Sequence, residues 1–129
     1  MTHAPEDQQI TAEDLALAAR LRETLCAMTA DALPVTYRAL AKSLGLAPPH
    51  TIHRLTTALE LTMREDVANG VPMIAALAIS RWRGGLPAPG FFALAAALGR
   101  HAGAEAGPAA ASFHRCEYEA AIAHWAATP

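Results

Sequence analysis

Apolar residues recur at helical spacing along most of this chain, in blocks separated by proline and glycine. Between Ala12 and Ala30, Leu17, Leu21, Leu25 and Met28 fall on one stripe, which predicts a helix that buries that face. Thr11, three positions before Asp14, suits a capping arrangement, and acids in the first turn suit the helix dipole. Asp31 to Pro34 breaks the pattern. Tyr37, Leu40, Ala41 and Leu44 then recur at i, i+3, i+4 and i+7, predicting a short helix capped by Thr36 and stopped by a left-handed Gly45. Leu46, Ala47, Pro48 and Pro49 cannot continue it, whereas Pro49 and Thr51 can start a longer helix with Ile52, Leu55, Leu59, Met63 and Val67 on its apolar face. Asn69-Gly70 supplies its C-cap, and Pro72 bars any continuation.

The second half is less periodic. Met73 to Ser80 is a short apolar run bounded by turn residues, which predicts a buried strand with Met73, Ala75, Leu77 and Ile79 on one side. Arg81 to Gly90, with Gly84, Gly85, Pro87 and Pro89 around Leu86, excludes regular structure and reads as a wing loop. Phe91, Phe92, Leu94, Ala95 and Leu98 begin another helix. Pro108 opens the last, which should reach Ala126 and bury Phe113, Cys116, Ala120 and either Ile122 or Trp125 against the first helix. The elements assemble into a mainly α fold: a winged helix-turn-helix with a short strand pair or wing and extra N- and C-terminal helices. Residues 36–69 are its helix-turn-helix, 72–90 its strand and wing, and 91–127 its C-terminal helices. The whole of 11–129 reads as one winged-helix domain behind a polar, flexible N-terminus of residues 1–10.

Composition narrows the class. At 129 residues the chain can bury a core without metal or disulfide, and its 53% hydrophobic content is swollen by alanine, which favours helices in close contact. No apolar run is long enough to span a bilayer and no signal-peptide pattern opens the chain, which predicts a cytoplasmic protein with reduced Cys26 and Cys116 and no membrane partner. The net charge of −2 is unevenly spread. Acids dominate residues 1–34 and 102–129, while Arg38, Lys42, Arg54, Arg64, Arg81, Arg83 and Arg100 outnumber Glu60, Glu65 and Asp66 between them. The segment that carries the helix-turn-helix is therefore the basic one, as phosphate contact requires.

The solvent-facing side of the third helix begins with His50, Thr51, His53, Arg54 and Thr57, short polar and basic groups where a recognition helix meets base edges and phosphates. Arg38 and Lys42 on the preceding helix are placed to touch phosphate, and Arg81 and Arg83 to anchor the wing. Trp82 between them suits either stacking or packing. Catalytic motifs are missing: GxSxG, HExxH, GxxxxGK[ST] and GxGxxG do not occur, and Cys26 and Cys116 have no adjacent base. His114, Cys116 and His124 do not have the i, i+4 spacing of a helical metal pair. The expectation is a protein that is not an enzyme and needs no cofactor or metal.

Thr36-Tyr37, Leu40-Ala41, Gly45, a helix containing Ala58-Leu59, a proline-led apolar strand from Pro72 to Ile79 and a glycine-rich loop follow in that order over residues 35–92. This resembles the winged-helix DNA-binding domain of the alkylguanine-DNA alkyltransferases and alkyltransferase-like proteins. The resemblance places Tyr37 where that family has the tyrosine that presses on a backbone phosphate, with Arg38 in place of the following glycine. The family's intercalating arginine falls near Thr51, with Arg54 the nearest cation, and Leu77 occupies the region of the acceptor cysteine. Without that thiolate no alkyl group can be accepted. The resemblance thus implies binding of double-stranded DNA without the repair reaction. The other reading of the same sequence is a protein-interaction module in which LPAPGFF, Leu86 to Phe92, docks a protein partner or a second copy of the chain.

Overall fold

The computed structural model describes residues 9–101 and 103–129; residues 1–8 of the expected flexible N-terminus lie outside them. Among the described residues five helices carry the fold: α1 (Ala12–Cys26), α2 (Tyr37–Ser43), α3 (Thr51–Ala68), α4 (Pro89–Ala97) and α5 (Pro108–Trp125). Two short strands, β1 (Val35–Thr36) and β2 (Ala78–Ile79), pair in parallel with Val35 opposite Ala78 and Thr36 opposite Ile79. No helix among the described residues is long and apolar enough to cross a membrane.

Local chemistry sets the helix ends. Thr11 and Asp14 make a reciprocal capping box, each side chain accepting from the other's backbone N–H at 3.1 Å. The Thr36 hydroxyl accepts from the Ala39 N–H, starting α2, and Gly45 takes φ 71° just past its end. α1 stops at Cys26, short of the expected Ala30, because the chain leaves the helix to pair with the far end of the molecule. There the Ala127 N–H donates to the Met28 carbonyl at 2.8 Å and Thr29 bridges Ala127 in parallel.

α1 lies against α3, and the two bury Leu17, Leu21 and Leu25 with Leu55, Leu59 and Met63. The buried stripe of α3 also takes in Ala58, Thr62 and Asp66, while Ile52, expected inside, is 47% exposed. Met73 to Ala78 forms the centre of the core, every residue at most 2% exposed. This segment is not the expected strand. Ile74–Leu77 is a 3-10 turn that leads into the two residues of β2, and small Ala75 and Ala76 let it sit between α3 and α5 with both sides covered. Its leading amides are caught by carboxylates: Met73 N–H donates to Glu117 at 2.8 Å and Ile74 N–H to Asp66 at 2.9 Å.

That capping also decides how α5 packs. Its inner face is Ala110, His114 and Ala121, with Glu117 reaching Met73 and the Trp125 indole N–H donating to Pro72 O at 2.8 Å. Cys116 and Ala120, expected to be buried, are exposed, and α5 rests mainly on the 3-10 turn instead of on α1. The expected wing is likewise absent as a hairpin: the strands among the described residues pair in parallel, and Arg81 to Ala88 is a run of turns closed by Ser80 N–H donating to Leu86 O at 2.9 Å. Gly84 and Gly85, at φ 63° and 88°, supply the left-handed steps that bend the loop back. Pro89 and Gly90 already belong to α4, whose Phe91 and Phe92 are buried, so LPAPGFF offers no aromatic docking surface.

Candidate nucleic-acid interface

The first turn of α2, the first turn of α3 and the start of the Arg81–Ala88 loop meet around an open cleft of about 360 Å³. It is lined by Thr36, Tyr37, Arg38, Ile52, Ser80, Arg81 and Trp82. The pairing of β1 with β2 brings these pieces together, since it holds Thr36 beside Ile79 and so sets the entrance of α2 next to Ser80 and Arg81. Trp82 is 83% exposed, far outside the normal range for a large aromatic. The Arg81 guanidinium lies 5.0 Å from the centre of its ring. Among the described residues, two guanidinium groups and no carboxylate line the cleft.

Tyr37 forms the inner wall. Its hydroxyl oxygen accepts from the Ala88 N–H at 2.8 Å, which ties the loop to α2. Burial pushes the phenol above its ordinary pKa, opposed by that hydrogen bond and by the charge of Arg83. The phenolic proton stays on and can be donated.

Of the residues singled out in the sequence, Tyr37, Arg38, Arg81 and Trp82 share the cleft. His50, His53 and Arg54 are exposed on the N-terminal part of α3, next to Ile52 in sequence but outside the cleft lining. Thr51 and Thr57 are half-buried, and the Thr57 hydroxyl donates back to His53 O at 3.0 Å, within its own helix. Lys42 is exposed near the far end of α2. Arg83 departs from the expectation of a phosphate anchor: it is half-buried, donates to Glu105 O and lies 5.9 Å from the centre of the Phe92 ring. Ion pairs among the described residues involve only Arg22 and Arg100 as cations, which leaves Arg38, Lys42, Arg54 and Arg81 without an internal counter-charge.

The reading from sequence missed Ile52, Thr36 and Ser80 as cleft residues. Ile52 continues the apolar stripe backward in register, but it stands 47% exposed in the cleft lining. The signal was present in Ala58, Thr62 and Asp66, which complete a six-residue buried stripe without Ile52. A larger groove of about 630 Å³ lies between α1 and α3, but Glu23 and Glu65 on its lining give it the wrong sign for a polyanion. The other groups with displaced pKa values are interior or isolated: Asp66 is raised and His114 lowered, each chiefly by burial, and neither opens onto the cleft. Comparison with family models, with curated proteins and with solved structures gave no match to this chain.

Proposed function

We propose that the protein is a non-enzymatic binder of double-stranded DNA, which docks α3 and the adjoining cleft against the duplex. The observation that carries this reading is a solvent-exposed Trp82 held under Arg81 in a cleft whose other charged group, among the described residues, is Arg38, with no acid among them. Arg38 and Arg81 engage phosphates on the two sides of the cleft, and Trp82 lies against the sugar or a base at its mouth. Arg54, His50 and His53, exposed along the start of α3, extend the same basic edge toward the major groove. In this reading the Arg81–Ala88 loop occupies the place of a wing although it has no strands.

The chemistry also supports binding without group transfer, as in an alkyltransferase-like protein that lacks the acceptor thiol. Leu77, at the acceptor position of that comparison, is fully buried in the 3-10 turn. Cys26 and Cys116 belong to α1 and α5 and do not line the cleft.

Anisotropy titration of a labelled duplex at several salt concentrations tests the proposal. Each phosphate contact contributes about −0.9 to the slope of log K against log salt, so an Arg38→Ala, Arg81→Ala double variant should flatten that slope by about 2. Trp82→Ala should weaken binding with the slope unchanged. Identical titrations for wild type and the double variant would overturn the assignment.

A further inference from the structure

The large apolar side chains left most exposed among the described residues fall in two places. Ile52 and Trp82 are at the basic cleft, while Ile10 and Leu15, 50% and 58% exposed, stand at the beginning of α1. Leu15 opens the groove of about 630 Å³ between α1 and α3, whose other apolar walls are Ala18, Ala19, Cys26 and Leu61. Thr62 in its floor makes no demand on a ligand, because its hydroxyl donates to Leu59 O at 2.6 Å. Arg22 is charge-paired from within: Nη2 donates to Glu65 Oε1 at 2.7 Å, Nη1 lies 2.9 Å from Asp66 Oδ1 without a hydrogen bond, and the guanidinium lies over the Trp125 ring at 5.0 Å. Glu65 and Asp66 pair with that guanidinium, and Glu23 adds an exposed carboxylate to the lining, so the groove is mostly apolar with a net negative rim.

We propose that this groove docks an amphipathic helix of a partner protein, one with a leucine-type ridge flanked by lysine or arginine. The ridge fills the space between α1 and α3, and the basic flanks pair with exposed Glu23 and with the open side of Glu65, whose side chain stays 64% exposed beside Arg22. Small Ala18 and Ala19 allow the close interaxial approach of about 8–10 Å that helix packing requires. From Leu15 to Cys26 the groove runs about 16 Å along α1, the length of three turns of a bound helix. A second copy of the chain is the wrong occupant, because a two-fold contact would bring the same acidic rim against itself. The groove borders the part of α3 around Thr62, about 15 Å along the axis from Ile52, so it can be filled while the basic cleft is occupied.

The test uses two synthetic 18-residue helical peptides with leucines at i, i+3, i+4 and i+7, one with lysine and one with glutamate at the flanking positions, titrated calorimetrically into the full chain. The lysine peptide should bind at least about tenfold tighter than the glutamate peptide. Leu15→Asp, which removes an exposed apolar wall, and Ala19→Arg, which plugs the groove, should each weaken the lysine peptide about tenfold or more. Glu23→Lys should weaken it several-fold, while Arg81→Ala and Trp82→Ala leave it unchanged. Because Leu15, Ala19 and Glu23 are exposed, these variants fold. Equal affinity for the two peptides, wild-type affinity in Leu15→Asp and Ala19→Arg, or no binding of the lysine peptide overturns the proposal. So does a dimer in sedimentation that Leu15→Asp dissolves.

Discussion

Replacing Asp66 by alanine should be among the most damaging single changes in this protein. The carboxylate is 1% exposed, accepts from the Ile74 N–H at 2.9 Å and lies 2.9 Å from Arg22 Nη1, so one deletion strands a buried amide and a largely buried guanidinium together. Breaking a buried pair from one side costs about 3–5 kcal/mol, a large share of the roughly 5–15 kcal/mol that holds a domain folded. Arg22→Met should behave differently with pH. Burial already holds the Asp66 carboxyl above the ordinary range against the pull of Ile74 and Arg22, and loss of the guanidinium moves it higher. A carboxyl whose folded pKa is raised favours the folded state once protonated, so the Arg22→Met deficit is full at neutral pH and shrinks as pH falls through that raised value. The Asp66→Ala protein has no proton to take up there, so its deficit against wild type does not narrow and widens as the wild-type carboxyl protonates. In the double variant the two losses should sum to less than their separate values, because they remove the same contact. Urea unfolding followed by circular dichroism at neutral and mildly acidic pH measures all four proteins. An Asp66→Ala loss below about 1 kcal/mol, or an Arg22→Met deficit that does not narrow on acidification, would refute the reasoning.

Other sites give further expectations. Phe92→Ala should cost about 3–5 kcal/mol in thermal or urea unfolding, since the ring is 1% exposed with Phe91, His101 and Phe113 around it at centroid distances of 5.2, 5.7 and 6.3 Å. Gly45→Ala should cost about 1–2 kcal/mol in the same measurement, all of it backbone strain at φ 71°, because an added Cβ meets nothing within 4 Å. Burial holds the His114 imidazole below its ordinary range, even though its Nε2–H donates to Ala76 O at 2.9 Å. Stability should therefore be full above the free-histidine value of about 6.5 and fall as pH drops through the lower folded value, a decline that His114→Gln flattens. Tyr37→Phe should cost about 1 kcal/mol and speed hydrogen exchange at the Ala88 amide, whose acceptor it removes.

The helices were legible because their determinants are local. Thr11 with Asp14, Thr36 and Gly45 each decide a helix end from within a few residues, and the structure places those ends as the pattern predicted. The segment around Ile74 was not legible, because its conformation depends on two carboxylates far along the chain, Asp66 on α3 and Glu117 on α5. A short apolar run offers the same pattern to a strand and to a buried turn, and only those caps choose between them. The inner face of α5 was misplaced for the same reason, since Glu117 and His114 are polar and read as solvent-facing until their backbone partners are known. At the cleft, the residue types Arg38, Arg81 and Trp82 were readable, whereas the exposure of Ile52 and the inward turn of Arg83 toward Glu105 depend on tertiary placement.

The parallel bridge between Thr29 and Ala127 joins points about three quarters of the chain apart, with one main-chain hydrogen bond from Ala127 to Met28. Closing so long a loop for so small a contact is entropically unfavourable until α1 and α5 are already positioned on the 3-10 turn. This seam is thus expected to form late in folding and to open early. An opening that begins there releases Trp125 from Arg22 and uncovers the end of α1 while the basic cleft, far from the seam in the chain, keeps its shape.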